Sequence, residues 1–109
     1  RVNGTAKASP TLRVGDVSLD RETRAVTVGG VDVKLTPSEF DLLAIMMTSP
    51  GRVYTRASLL EATQGTYFEG IARTIDVHIR NLRSKIEPNP AEPRYIETVF
   101  GIGYRFASK

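Results

Sequence analysis

The apolar residues of this chain change their pattern twice, and that double change constrains the fold more than any other feature. From Thr11 to Leu35 the pattern has period two, in the helical segments between Thr36 and Glu87 apolar residues three or four apart share one face, and beyond Tyr95 short β-type runs return. Period two buries one face of a strand, and period 3.6 buries one stripe of a helix. The order is therefore strands, helices, strands, which predicts an α+β domain.

The first block holds Leu12 and Val14, Val17 and Leu19, Ala25-Val26 and Val28, then Val31, Val33 and Leu35. Gly15-Asp16, Asp20-Arg21-Glu22-Thr23 and Gly29-Gly30 separate these runs. Paired glycines between strands suit a two-residue hairpin, because both turn positions need positive φ. The block predicts a four-stranded antiparallel sheet.

Thr36-Pro37-Ser38-Glu39 then opens a helix. Thr36 is a natural N-cap, Pro37 suits the first helical position, and Glu39 completes a capping box. Phe40, Leu43 and Met47 share its inner face, widened by Leu42 and Ile45, and Ser49-Pro50-Gly51 ends it. A second helix starts at Thr55 as N-cap and runs to about Ala62, burying Leu59 and Leu60. Residues 63–70 are expected to form a loop. A third helix is expected from Ile71 to Glu87, where Pro88-Asn89-Pro90 stops it. Tyr95 to Val99 and Ile102 to Phe106 then predict a C-terminal β-hairpin.

At 109 residues the chain suits one domain. The expected division is a tail or interdomain linker over residues 1–10 and the folded domain over 11–109. With no cysteine and a single histidine, disulfide scaffolds, thiolate metal sites and multi-histidine sites are excluded. No apolar run is long enough to cross a bilayer and no secretory signal pattern is present, so a cytoplasmic location without membrane contact is the expectation. The net charge is +3, a mild excess whose distribution matters more than its size.

That distribution is uneven in the third helix. Ile75, Ile79, Leu82 and Ile86 fall on one stripe, which must pack inward. The opposite face carries Arg73, Val77, Arg80 and Ser84, flanked by Thr74 and Asn81, with Arg83 and His78 at its borders. A helix of this width fits the major groove of duplex DNA. Guanidinium groups bind phosphates or guanine edges, an asparagine pairs with adenine, and the methyls of Val77 or Thr74 can meet a thymine methyl. A solvated charged face is the alternative for this helix taken alone. The shorter helix before it and the hairpin after it favour a winged helix-turn-helix.

Three segments then make a resemblance specific: LTPSEFDLL (Leu35 to Leu43), RTIDVHIRNLRSKIEP (Arg73 to Pro88) and IETVFGIGYRF (Ile96 to Phe106). In order and spacing the chain resembles the C-terminal effector domain of OmpR/PhoB-type response regulators, over about Thr11 to Ala107. The resemblance implies a bacterial two-component transcription factor. Its upstream half would be a receiver domain phosphorylated by a cognate histidine kinase, and two copies would bind tandem direct repeats as a dimer on DNA. At matching positions it implies that Arg73, His78 and Arg80 contact the phosphate backbone. Thr74, Val77 and Arg83 would face bases, and Thr98 would add a phosphate contact. Asn81 stands where the family often has a base-reading arginine, which implies a different operator. Phe100 replaces an arginine that enters the minor groove, and it can pack on sugar or wedge apolar surface there. Gln64 replaces a tryptophan in the loop 63–70, where the family is expected to touch RNA polymerase.

Other signals are weaker. The lone His78 lacks the partners that catalysis or metal binding requires, and no nucleophile–base pair is present, so no enzyme or cofactor is expected. Asp16, Asp20, Glu22 and Asp32 lie at turns. Asp76 is expected to pair with a nearby arginine such as Arg80, one turn along the helix. Gly101-Ile102-Gly103 lacks the strand-to-helix context of a nucleotide loop and suits a hairpin turn. The competing functions are a winged-helix module for protein contact and the DNA-binding domain of a receiver-less or membrane-anchored activator.

Overall fold

The computed structural model describes residues 11–64 and 73–108, and the side chains of all these except residues 63, 64, 73 and 74. The first sheet contains β1 (Thr11–Val14), β2 (Val17–Asp20), β3 (Val26–Val28) and β4 (Val31–Val33), paired antiparallel in sequence order. Gly29 and Gly30, at φ 60° and 85°, make the two-residue turn that sets Val28 opposite Val31. Alternation buries Val17, Leu19 and Val26 on one face.

Against that face packs α1 (Pro37–Thr48). Its capping box is present as the sequence predicts. The Thr36 hydroxyl accepts from the Glu39 amide at 3.2 Å, and the Glu39 carboxylate accepts from the Thr36 amide at 3.0 Å. Phe40, Leu42, Leu43, Met46 and Met47 are buried, so the inner face also takes in Met46.

After α1 comes β5 (Tyr54–Thr55), then α2 (Arg56–Gln64) and α3 (Arg73–Ile86). Thr55 caps α2 as expected, its hydroxyl accepting from the Ser58 amide at 3.0 Å. The expected extension of α3 to residue 71 lies outside the described residues. At its other end the Glu87 amide still bonds the Arg83 carbonyl at 2.9 Å.

The C-terminal hairpin is β6 (Ile96–Val99) and β7 (Gly103–Phe106). It is not an isolated wing. β5 pairs with β7 to give a three-stranded sheet in the order β5-β7-β6. Two residues are too few to show alternation, which is why the sequence hid this strand. Gly103 makes the pairing feasible, because a Cβ there would collide with the Tyr54 carbonyl.

One core joins the layers, with Ile75, Ile79, Leu82 and Ile86 of α3 meeting α1, Leu59 of α2 and Ile96, Tyr104 and Phe106 of the second sheet. The inward stripe read from the sequence is the stripe that is buried.

Candidate nucleic-acid interface

Four polar fastenings set the orientation of α3. Near its start, the Asp76 carboxylate accepts from Arg56 Nε of α2 at 2.7 Å and from the Tyr104 hydroxyl of β7 at 2.6 Å. The expected partner one turn along, Arg80, is not the arginine found, since α2 brings a guanidinium to Asp76 from another element. Burial, then the hydrogen bond to Asp76, raises the Tyr104 hydroxyl above the ordinary tyrosine range, which keeps it a donor.

Further along, Arg83 turns toward the wing. Its Nε and Nη2 donate to the Ile96 carbonyl at 3.2 and 2.8 Å, and Nη2 donates to the Thr98 hydroxyl at 2.7 Å. Its guanidinium carbon also lies 5.5 Å from the Tyr104 ring centroid. The resemblance has Arg83 facing bases, whereas in this structure its donors are spent on β6. A residue at the helix border lies close enough to β6 to satisfy its donors inside the protein. The Thr98 hydroxyl accepts from Arg83, which leaves its own proton available as a donor.

The last two fastenings use carboxylates that the sequence did not mark for α3. Lys85 Nζ donates to Glu39 Oε1 of α1 at 2.6 Å. Burial alone would raise the Glu39 carboxyl, but the Lys85 ammonium and the Thr36 amide outweigh it and hold the carboxyl below its usual range. Just past α3, the buried Glu87 carboxylate accepts from the amides of Arg94, Tyr95 and Ile96 at 2.7–3.1 Å. That single side chain sets where β6 begins. These roles of Arg56, Tyr104, Lys85 and Glu87, and the contact of Glu39 with Lys85, escape sequence reading because the partners lie between 7 and 46 residues away.

These fastenings leave one face open. Val77 is 53% exposed, and Arg80, Asn81 and Ser84 are exposed beside it, with His78 half-buried at the edge. Arg80 makes no ion pair among the described residues. The side chains of Arg73 and Thr74 lie outside the described residues, although both belong to α3. Beyond the ridge stands the wing tip, where Phe100 is 89% exposed. No group of acidic, histidine or cysteine residues among the described residues is arranged to hold a metal, and no described helix is long and apolar enough to cross a membrane.

A family model described as transcriptional regulatory protein, C terminal, matches residues 30–106. The chain belongs to this family. It has the winged-helix fold of the effector domains of OmpR/PhoB-type response regulators. The effector domain is 48% identical over 91 residues to a probable transcriptional regulatory protein of Picosynechococcus, covering 84% of this chain and 36% of that protein. It is 44% identical over 94 residues to the sensory transduction protein RegX3 of Mycolicibacterium smegmatis, covering 86% and 41%. The chain thus spans less than half the length of these relatives. Among solved structures, the Klebsiella pneumoniae RstA DNA-binding domain in complex with the RstA box superposes with a TM-score of 0.80 at 36% identity, covering 91% of this chain and 98% of that one. The response regulator DrrB of Thermotoga maritima, an OmpR/PhoB homolog, superposes at 0.81 with 33% identity, covering 90% and 44%.

Proposed function

We propose that the effector domain binds double-stranded DNA sequence-specifically and thereby controls transcription, with α3 in the major groove and the wing over the adjacent minor groove. The observation that carries this is the ridge itself. A helix about 21 Å long presents Arg80, Asn81 and Val77 outward, while Asp76, Glu39 and Glu87 beside it are neutralised or buried. A polyanion therefore meets cationic and hydrogen-bonding groups, and the half-exposed Asp76 of α3 is held by Arg56 and Tyr104.

In this reading Arg73, His78, Arg80 and Thr98 hold phosphates, which fixes register, and Thr74, Val77 and Asn81 meet base edges, which sets sequence. Arg83 reaches bases only by leaving Ile96 and Thr98, so it serves first to hold the wing. Phe100 meets the minor groove. The homology supports a longer regulator in which residues 1–10 link this domain to a receiver phosphorylated by a histidine kinase in the cytoplasm. Two copies then occupy tandem direct repeats as a dimer, and residues 63–70, the first two of which end α2, contact RNA polymerase.

Selection from a random duplex library, followed by titration of the enriched duplex at several salt concentrations, tests the reading. A defined sequence and steeply salt-dependent affinity are expected. Weak binding with little salt dependence would favour the protein-contact module instead.

A further inference from the structure

We infer that Phe100 is an apolar wedge through which the wing selects a flexible pyrimidine–purine step in the minor groove flanking the α3 site. This rests on the DNA-binding reading above and adds a sequence preference to it.

Phe100 is far more exposed than the packed aromatics Phe40, Tyr95, Tyr104 and Phe106, each of which is buried. It is held in place. The Ile102 amide bonds the Val99 carbonyl at 2.9 Å, and Gly101, at φ 81°, occupies the turn position that requires positive φ. The strand leading to it is fastened to α3 through Arg83 and Glu87. The backbone that carries the ring is therefore set at one place relative to the ridge, and Ile102, two residues on, is half exposed.

The chemistry at that tip is one-sided. Val99 to Gly103 carries no charge. The nearest wing cation, Arg105, is engaged by Glu97 at 2.7 Å. A tip without a cation gains nothing from the strong negative potential of a narrow A-tract groove. It gains by burying a ring against sugars and partly unstacked bases. Opening a step costs least at TA and CA/TG, which are easily kinked. Free energy of deformation thus becomes sequence preference at positions the ring never reads by hydrogen bonds.

The test is parallel selection from a random-sequence duplex library with the wild-type domain, Phe100→Ala and Phe100→Arg. Phe100 is exposed, so neither variant threatens the core. The wild type is expected to enrich a TA or CA/TG step at fixed distance from a core motif. Phe100→Ala should keep the core and lose the step, with affinity for the wild-type duplex down about tenfold. Phe100→Arg should replace the step by an A-tract. A 2-aminopurine placed at the enriched step should brighten with the wild type and not with Phe100→Ala. If wild type and Phe100→Ala enrich the same core and flanks, the wedge is overturned while DNA binding stands. If no protein enriches any duplex, the DNA-binding reading fails and the wedge fails with it.

Discussion

Arg83 of α3 donates to the Thr98 hydroxyl of β6 at 2.7 Å, so the helix proposed to enter the major groove and the strand that carries the wing are fastened side chain to side chain. Together with the two bonds from Arg83 to the Ile96 carbonyl, this contact sets the angle between the two DNA-facing elements. Arg83→Ala should therefore lower affinity on every duplex and leave base preference intact. It should also cost about 1–2 kcal/mol of stability, since bonds from a charged donor are lost. Titration against a panel of core variants, beside a thermal melt, checks this. A relaxed preference at one base pair would show Arg83 reading that base.

Arg80 has no internal partner among the described residues and points outward from the ridge. Arg80→Ala should weaken binding to all duplexes and flatten the slope of log K against log salt by about one unit. Titrations at four salt concentrations measure the slope, and an unchanged slope would remove Arg80 from the phosphate contacts.

Glu87 gathers three successive amides at the start of β6. Glu87→Gln keeps the shape but turns a donor toward one set of those amides. A loss of about 1–3 kcal/mol is expected. Hydrogen exchange should quicken at residues 94–96 more than in the first sheet. Uniform exchange across both sheets would mean the carboxylate does not anchor the wing locally.

The Glu39 carboxyl titrates below its ordinary value of 4.5 in the folded domain. A depressed carboxylate stabilises the fold fully above the unfolded value, and that stability is lost as pH falls through the folded one. Acid unfolding should therefore steepen below about pH 4.5. Glu39→Gln should flatten that limb and cost about 1–3 kcal/mol at neutral pH, the range for a charge-assisted hydrogen bond. Equal acid slopes in the two proteins would assign the transition to other carboxylates.

Gly103 sits where β7 crosses Tyr54, with no room for a side chain. Gly103→Ala should force β5 from β7 and destabilise by about 2–3 kcal/mol, an overpacking cost. Gly101→Ala at the open turn should act through backbone strain alone and cost about 1 kcal/mol. Comparison of the two melting temperatures separates the mechanisms, and equal shifts would argue against a steric role for Gly103.

Local order was legible in the chain because its causes are local. The stripe Ile75, Ile79, Leu82 and Ile86, the Thr36–Glu39 capping box and the Gly29-Gly30 hairpin each lie within a few residues of one another, and each is found where the pattern placed it. The outward side of α3 followed from the same periodicity, since a helix that buries one stripe must show the other. What a polar border residue does with its donors was settled only by the packed elements. Arg83 and Asp76 read as surface groups until β6, β7 and α2 arrive beside them from 13, 28 and 20 residues away. Folding brings such partners within 3 Å, and short-range hydrogen bonding then outweighs solvation at sites that spacing along the chain cannot foresee.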